Sequence, residues 1–173
     1  MEKTRINTGN TQIQMSRYNL QLLKQKIGDR NLIRQYKESD IDTIIQIWLD
    51  TNIQAHHFIS SDYWRANYDM VREMLPNAEI YVYEDDCAKQ IDGFIGLNDD
   101  YIEGIFVKET KQSKGIGKQL LNHAKEVKST LKLSVYQKNE KAIKFYLREK
   151  FSVQSENVDA NTGENEFIMA WKR

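Results

Sequence analysis

Residues 112–117 read Gln-Ser-Lys-Gly-Ile-Gly, a turn that follows the apolar run Ile102 to Val107 and opens the helix-like run Lys118 to Lys128. A strand, a turn and a helix start in that order leave a row of backbone N–H groups without intrahelical partners, at the positive end of the helix dipole. Such an end attracts an anion, and the amides of residues 113–118 are expected to hold a pyrophosphate. Gly115 and Gly117 let the backbone approach a ligand with no Cβ in the way. The segment also constrains topology. Strand 101–107, the helix and the buried strand Leu131 to Val135 form a βαβ crossover, so the two strands should be parallel neighbours.

Two familiar phosphate loops fail on their offsets. A P-loop needs Gly five residues before the Gly117-Lys118 pair and Ser or Thr after it, where this chain has Gln112 and Gln119. A dinucleotide fingerprint needs a third glycine at 120, which is Leu120.

The rest of the chain reads as one domain, residues 32–173, behind a basic extension, residues 1–31. The extension has a weak helical pattern at Leu20, Leu23 and Ile27, closed by Gly28. Leu32 to Tyr36 alternates as a strand. Ser39 or Asp40 should cap a helix with Ile41, Ile44, Ile45 and Trp48 on its apolar face. Ser61 or Asp62 should start a second helix carrying Trp64, Tyr68, Val71 and Leu75, ended by Pro76 and Asn77. Strand-like runs at 79–83, 91–97 and 101–107 are joined by short polar turns, which implies an antiparallel meander. Helices at 115–128 and 139–149 flank the strand at 131–135, and strands near 151–153 and 167–171 close the chain. The expected class is α/β (α+β), with a mixed, mostly antiparallel central sheet flanked by helices.

The turn keeps the pattern Gln/Arg-x-x-Gly-x-Gly/Ala, and with that order of elements the chain resembles the GNAT superfamily of acyl-CoA N-acyltransferases. The resemblance implies a splay between strands 101–107 and 131–135 that takes the pantetheine arm of acetyl-CoA. It implies backbone contacts at Ile105, Phe106 and Val107, with Phe106 or Val107 donating to the thioester carbonyl. Around the turn, Gln112, Ser113, Lys114, Gly115, Ile116, Gly117 and Lys118 would hold the pyrophosphate. Asn139, Ala142 and Tyr146 share one helix face at i, i+3 and i+7. Asn139 resembles the family Asn beside the cofactor arm, and Tyr146 the family tyrosine beside the thioester sulfur. A phenol, pKa about 10, can protonate a leaving thiolate whose acid titrates at about 8.5. One departure is Lys150-Phe151 where the family has Gly-Phe; a left-handed helix end would suit Gly better than Lys.

Glu103 resembles the acid that draws a proton from the amine in some members. Alternation places it with Ile105 on one face and Gly104 with Phe106 on the other, and the sequence does not say which face is the cleft. Either it is an exposed strand carboxylate or it lies partly buried in the site, where a raised pKa would suit a base. His57-Phe58-Ile59 fits a segment that borders the acceptor site in small bacterial members, which makes His57 and Phe58 candidates for substrate binding. His56 and His57 are adjacent and point apart, with no His or Cys cluster near them in sequence, so no metal is expected. His123 reads as a surface residue.

Charge adds a direction. The formal net charge is zero, but residues 38–103 carry 15 Asp and Glu against 3 Lys and Arg, while residues 104–150 carry 12 Lys and Arg against 4 acids. A basic half suits a polyanionic cofactor and an acidic half a cationic amine, unless these are simply solvated faces. The acidic stretch argues against nucleic acid as a partner. The single cysteine, Cys87, and the lack of a long apolar run or a basic-then-apolar leader point to a cytoplasmic protein with no membrane partner. The reading is an acetyl-CoA-dependent N-acetyltransferase acting on a primary amine without a metal, as a monomer or a homodimer. A CoA-binding sensor without turnover is the alternative.

Overall fold

A computed structural model describes residues 32–85 and 87–173; the expected extension 1–31, with its pattern at Leu20, Leu23 and Ile27, lies outside the described residues. The elements are β1 (Leu32–Gln35), α1 (Ile41–Ala55), α2 (Ser61–Ala66), α3 (Tyr68–Met74), β2 (Glu79–Asp85), β3 (Gln90–Asn98) and β4 (Tyr101–Val107), then α4 (Ile116–Val127), β5 (Thr130–Tyr136), α5 (Glu140–Arg148), β6 (Ser152–Val158) and β7 (Asn165–Lys172). The strands form one sheet in the order β1-β2-β3-β4-β5-β7-β6, with every pair antiparallel except β4 and β5.

The helix expected over 61–75 is broken at Asn67. Its side-chain amide donates to the Tyr63 carbonyl at 2.8 Å, a local bond of the kind that competes with the helix ladder. The cap is Ser60, whose Oγ accepts from the Asp62 N–H at 3.3 Å, rather than Ser61 or Asp62. Before α1, Asp40 accepts the Lys37 N–H at 2.8 Å and is clasped by Arg34 at 2.7 Å. It therefore ties β1 to the helix start instead of capping α1 through its own side chain.

Two apolar clusters lie on opposite faces of the sheet. On one, Leu120, Leu121 and Ala124 of α4 pack on Ile95, Leu97, Ile102, Leu131 and Leu133. On the other, Ile44, Ile45 and Trp48 of α1 pack with Trp64 on Val82, Ile91 and Phe94. Leu121 is fully buried, so Leu121→Ala should cost about 2–5 kcal/mol of stability.

The sheet is interrupted where the crossover joins it. β4 and β5 pair only at Tyr101 opposite Lys132, and above that point the β4 edge facing β5 has no strand partner. β4 also carries a bulge. Gly96 opposes Gly104 and Leu97 opposes Ile102, which leaves Glu103 as the extra residue. The bulge reverses the expected alternation. Ile102, Ile105 and Val107 share the α4 face, while Phe106 joins the α1 face. A Cβ on Gly96 would lie 3.8 Å from the Cβ of Glu103, on the side opposite Ile95 and Leu97, so Glu103 sits on the α1 side and not with Ile105.

Candidate active site

The gap between β4 and β5 opens into a cleft of about 900 Å³, walled by α1, β4, the turn before α4, β5 and α5. Of the residues expected from sequence, Glu103, Ile105, Phe106, Val107, Gln112, Ser113, Gly115, Ile116, Gly117, Lys118, Asn139, Ala142, Tyr146 and His57 line it. Lys114 and Phe58 do not: the Lys114 ammonium donates to the Thr110 carbonyl at 3.0 Å, and Phe58 packs edge-on against His56 and Tyr136.

The turn has the geometry of an anion nest. Ser113 has φ 60° and Gly115 φ 85°, two left-handed residues that turn successive amides to one side. The first helical bond of α4 runs from the Gln119 N–H to the Gly115 carbonyl at 3.0 Å, so the amides of Ile116, Gly117 and Lys118 have no helical acceptor. The two glycines serve different ends. Gly115 supplies a left-handed angle. At Gly117 a Cβ would meet Ile105 and Phe145 at 3.8 Å, an ordinary contact, so the fold does not exclude a side chain there.

Gln112 braces this region. Its amide donates to the Val107 carbonyl at 3.1 Å and to Gln54 of α1 at 3.3 Å, and it accepts from the Lys141 ammonium of α5 at 2.7 Å. Behind the turn, Lys111 reaches the buried Asp92 of β3 at 2.7 Å.

Tyr146 is 7% exposed and lines the cleft from α5. Burial, with Tyr101 adding to it, raises its pKa, so the phenol keeps its proton throughout the physiological range. The end of α5 takes the left-handed form despite the lysine. Lys150 has φ 72°, the Phe151 N–H bonds the Tyr146 carbonyl at 3.0 Å and the Lys150 N–H bonds the Leu147 carbonyl at 3.0 Å. Glu103 is exposed, so the partial burial wanted for a base is not there.

Several lining residues were not singled out from sequence. His56, Trp48, Trp64, Tyr101, Tyr136 and Glu166 form an aromatic and acidic wall on the α1 side. His56 rather than His57 is the inward histidine. The α1 face Ile45, Trp48, Asn52 continues in steps of three and four to 56, and that periodicity was the available signal. His56 stacks on Trp64 with ring centroids 5.3 Å apart, and its Nε2 lies 3.2 Å from the Asn139 amide. Burial, with the neighbouring His57, lowers the His56 pKa to about 4. Asn139 caps α5, its Oδ1 accepting the Ala142 N–H at 3.1 Å. Among the described acids of residues 38–103, Glu103 alone lines the cleft, so the acidic stretch is not the cleft wall; Lys111, Lys118, Lys138, Lys141 and Arg148 outnumber the lining acids Glu103, Glu140 and Glu166. His123 is half-buried against Tyr81, with ring centroids 4.4 Å apart, rather than a free surface residue.

Known proteins resemble this chain in sequence and fold. The family model described as "Acetyltransferase (GNAT) domain" matches residues 76–153, from the meander through the turn and α5 into the start of β6. The chain is 32% identical over 142 residues to the peptidyl-lysine N-acetyltransferase YiaC of Escherichia coli (strain K12), covering 81% of this chain and 96% of that relative. The solution structure of the apo form of YjaB from Escherichia coli superposes with a TM-score of 0.73 at 26% identity, over 81% of this chain and 96% of that one. A spermidine N-acetyltransferase from Vibrio cholerae, solved with CoA and spermine, shares the fold at 19% identity and a TM-score of 0.62, over 82% of this chain and 94% of its own. Sequence, topology and the split sheet agree, and the chain belongs to the GNAT family of N-acetyltransferases.

Proposed function

We propose that this enzyme transfers an acetyl group from acetyl-CoA to a cationic primary amine by direct attack within one cleft. The observation that carries the reading is the unpaired edge of β4, which runs into the open amides before α4 with Tyr146 in the same cleft. A strand edge inside a sheet has backbone groups to satisfy, and the amide-rich arm of CoA can pair with them. The amides of residues 113–118 receive the pyrophosphate, and Lys118 and Lys141 add positive charge around them. Acetyl-CoA supplies the activated acyl group as a thioester.

The protein's part is positioning and charge. An amide of Phe106 or Val107 donates to the thioester oxygen, where negative charge develops. The Tyr146 phenol donates to the departing sulfur. Because burial raises its pKa further above that of the thiol, full transfer of the proton to a free thiolate stays uphill, and the phenol serves the sulfur as a hydrogen-bond donor while charge develops there. Ordered water or Glu103, exposed on the α1 side, takes the amine proton, and Glu103 with Glu166 places negative charge beside the incoming cation. His57 lines the entry on the same side.

The test is product identification by mass spectrometry with acetyl-CoA and a panel of amines. An N-acetylated amine and free CoA are expected in equal amounts. Binding of acetyl-CoA without any acetylated product would replace this reading with that of a CoA-binding module.

A further inference from the structure

Residues 108–112 lead from the amides proposed for the thioester oxygen to those proposed for the pyrophosphate, and they belong to no strand. They make one 3-10 turn over Glu109–Lys111, in which the Lys111 N–H bonds the Lys108 carbonyl at 2.8 Å and the Gln112 N–H bonds the Glu109 carbonyl at 3.2 Å. So short a turn has little stability of its own, and where it sits decides where the amides after it point.

One residue of β3 holds both ends of the segment. The Asp92 carbonyl accepts the Lys108 N–H at 3.0 Å, and Asp92 Oδ2 lies 2.7 Å from the Lys111 ammonium, with Oδ1 3.7 Å from that of Lys108. The Asp92 side chain is 2% exposed, a depth at which carboxylates are found paired. The strand register explains its aim. Tyr83 opposes Gly93 and Glu84 opposes Ile91, which leaves Asp92 as the extra residue of a bulge, a device that re-aims a side chain. Lys111 lines the cleft, yet its ammonium is drawn back onto Asp92; Asp85, at 3.8 Å, is a second and more exposed acidic neighbour.

We propose that Asp92 is a positioning residue for the cofactor: by latching Lys108 and Lys111 it fixes residues 108–112, and with them the amides of 113–118, in the pose that receives the pyrophosphate. This rests on the reading of those amides as the pyrophosphate site and adds to it a residue that does not line the cleft. On this account Lys111 serves the latch and is not a phosphate ligand. The end of β4 is held without the latch. Val107 pairs with Gly93 of β3, and the strands approach so closely that a Cβ on Gly93 would lie 2.7 Å from the Phe106 carbonyl. Breaking the latch should therefore leave the thioester end in place, and the loss should fall on acetyl-CoA binding rather than on turnover.

The sign of one effect tests this. Asp92→Asn removes a negative charge from behind a polyanion site and frees a cation, so Coulomb attraction alone would tighten acetyl-CoA. The latch predicts the reverse. Kd and KM for acetyl-CoA should rise about tenfold, the cost of ordering one further residue's backbone on binding, while kcat and the amine KM hold. Lys111→Arg keeps the ion pair and should bind acetyl-CoA as wild type does. The double variant Asp92→Asn/Lys111→Met replaces the pair with neutral groups, which folds tolerate well, and so serves if the single variant does not fold. It should show the same tenfold loss, and the loss should persist at high salt, where a missing phosphate contact would matter less. Unchanged or tighter acetyl-CoA binding in Asp92→Asn, or a fall in kcat at unchanged KM, would overturn the latch and leave the acetyltransferase reading standing. A loss in the double variant that vanishes at high salt would do the same and make Lys111 a phosphate ligand. Wild-type protein that binds no acetyl-CoA would overturn the acetyltransferase reading, and the proposal with it.

Discussion

Gly115 and Gly117 stand two residues apart in the same turn, and the structure assigns them opposite sensitivities. At Gly115 the backbone sits at φ 85°, where any L side chain is strained, although a Cβ would meet nothing within 4 Å. Gly115→Ala therefore loses about 1–2 kcal/mol to the left-handed angle, partly offset by about 0.4–1 kcal/mol from a less flexible unfolded chain. A net loss of about 1 kcal/mol lowers Tm by about 2–4 °C for a domain of this size. At Gly117 the angle is ordinary and the nearest atoms are 3.8 Å away, so Gly117→Ala should be neutral or raise stability by up to about 1 kcal/mol through helix propensity. Binding should show the reverse emphasis. Gly117→Leu places a branched side chain over the open amides, and losing even one hydrogen bond to a charged group costs about 1.5–3 kcal/mol, more than tenfold in Kd for acetyl-CoA. Differential scanning fluorimetry and isothermal titration calorimetry on the three variants separate the two roles. A folded Gly117→Leu enzyme that binds acetyl-CoA with wild-type affinity would refute the assignment of these amides to the pyrophosphate.

Tyr146→Phe should keep acetyl-CoA affinity and lower kcat by roughly 10²-fold, the lower end for general-acid catalysis, as read by steady-state and binding measurements together; lost affinity at unchanged kcat would make Tyr146 a packing residue. Lys150→Gly should raise stability by about 0.5–1 kcal/mol in chemical denaturation, because a lysine holds the left-handed angle there at φ 72°. His56, with its pKa lowered to about 4, is neutral in the fold and protonates more readily once unfolded. Its stabilising effect is whole above about pH 6.5 and is lost as pH falls toward 4, a swing of about 3 kcal/mol that should be missing from His56→Gln in denaturation measured across that window.

The strand, turn and helix at the centre of the site were legible because each carries its own local signal: apolar β-prone residues, paired glycines, then a 3.6-residue pattern. The crossover rule then made β4 and β5 parallel neighbours. Helix periodicity put Asn139, Ala142 and Tyr146 on one face, and the family resemblance assigned that face to the cleft. What was not legible depends on contacts distant in sequence. The bulge at Glu103 is a register shift against β3, and its one local hint was Gly104, a glycine inside a strand where a Cβ would clash with the Phe106 ring. The break at Asn67 is a competition between side chain and backbone that a periodic reading averages away. Glu166 reaches the cleft because β7 pairs with β5, with Glu166 opposite Tyr136, and β6 takes the edge. The acids of residues 38–103 misled by number: Asp40, Asp92 and Glu79 are held by Arg34, Lys111 and Lys128 away from the cleft.

The central claim is that the split sheet delivers an acetyl group to an amine. The most direct measurement is a single reaction of the purified protein with acetyl-CoA and Nα-acetyl-lysine N-methylamide, with CoA release and acetylated amine quantified in parallel. The account predicts CoA and Nε-acetyl product appearing in equal amounts, with CoA release dependent on the amine. CoA released at the same rate without the amine, or no acetylated product while acetyl-CoA binds, would contradict it.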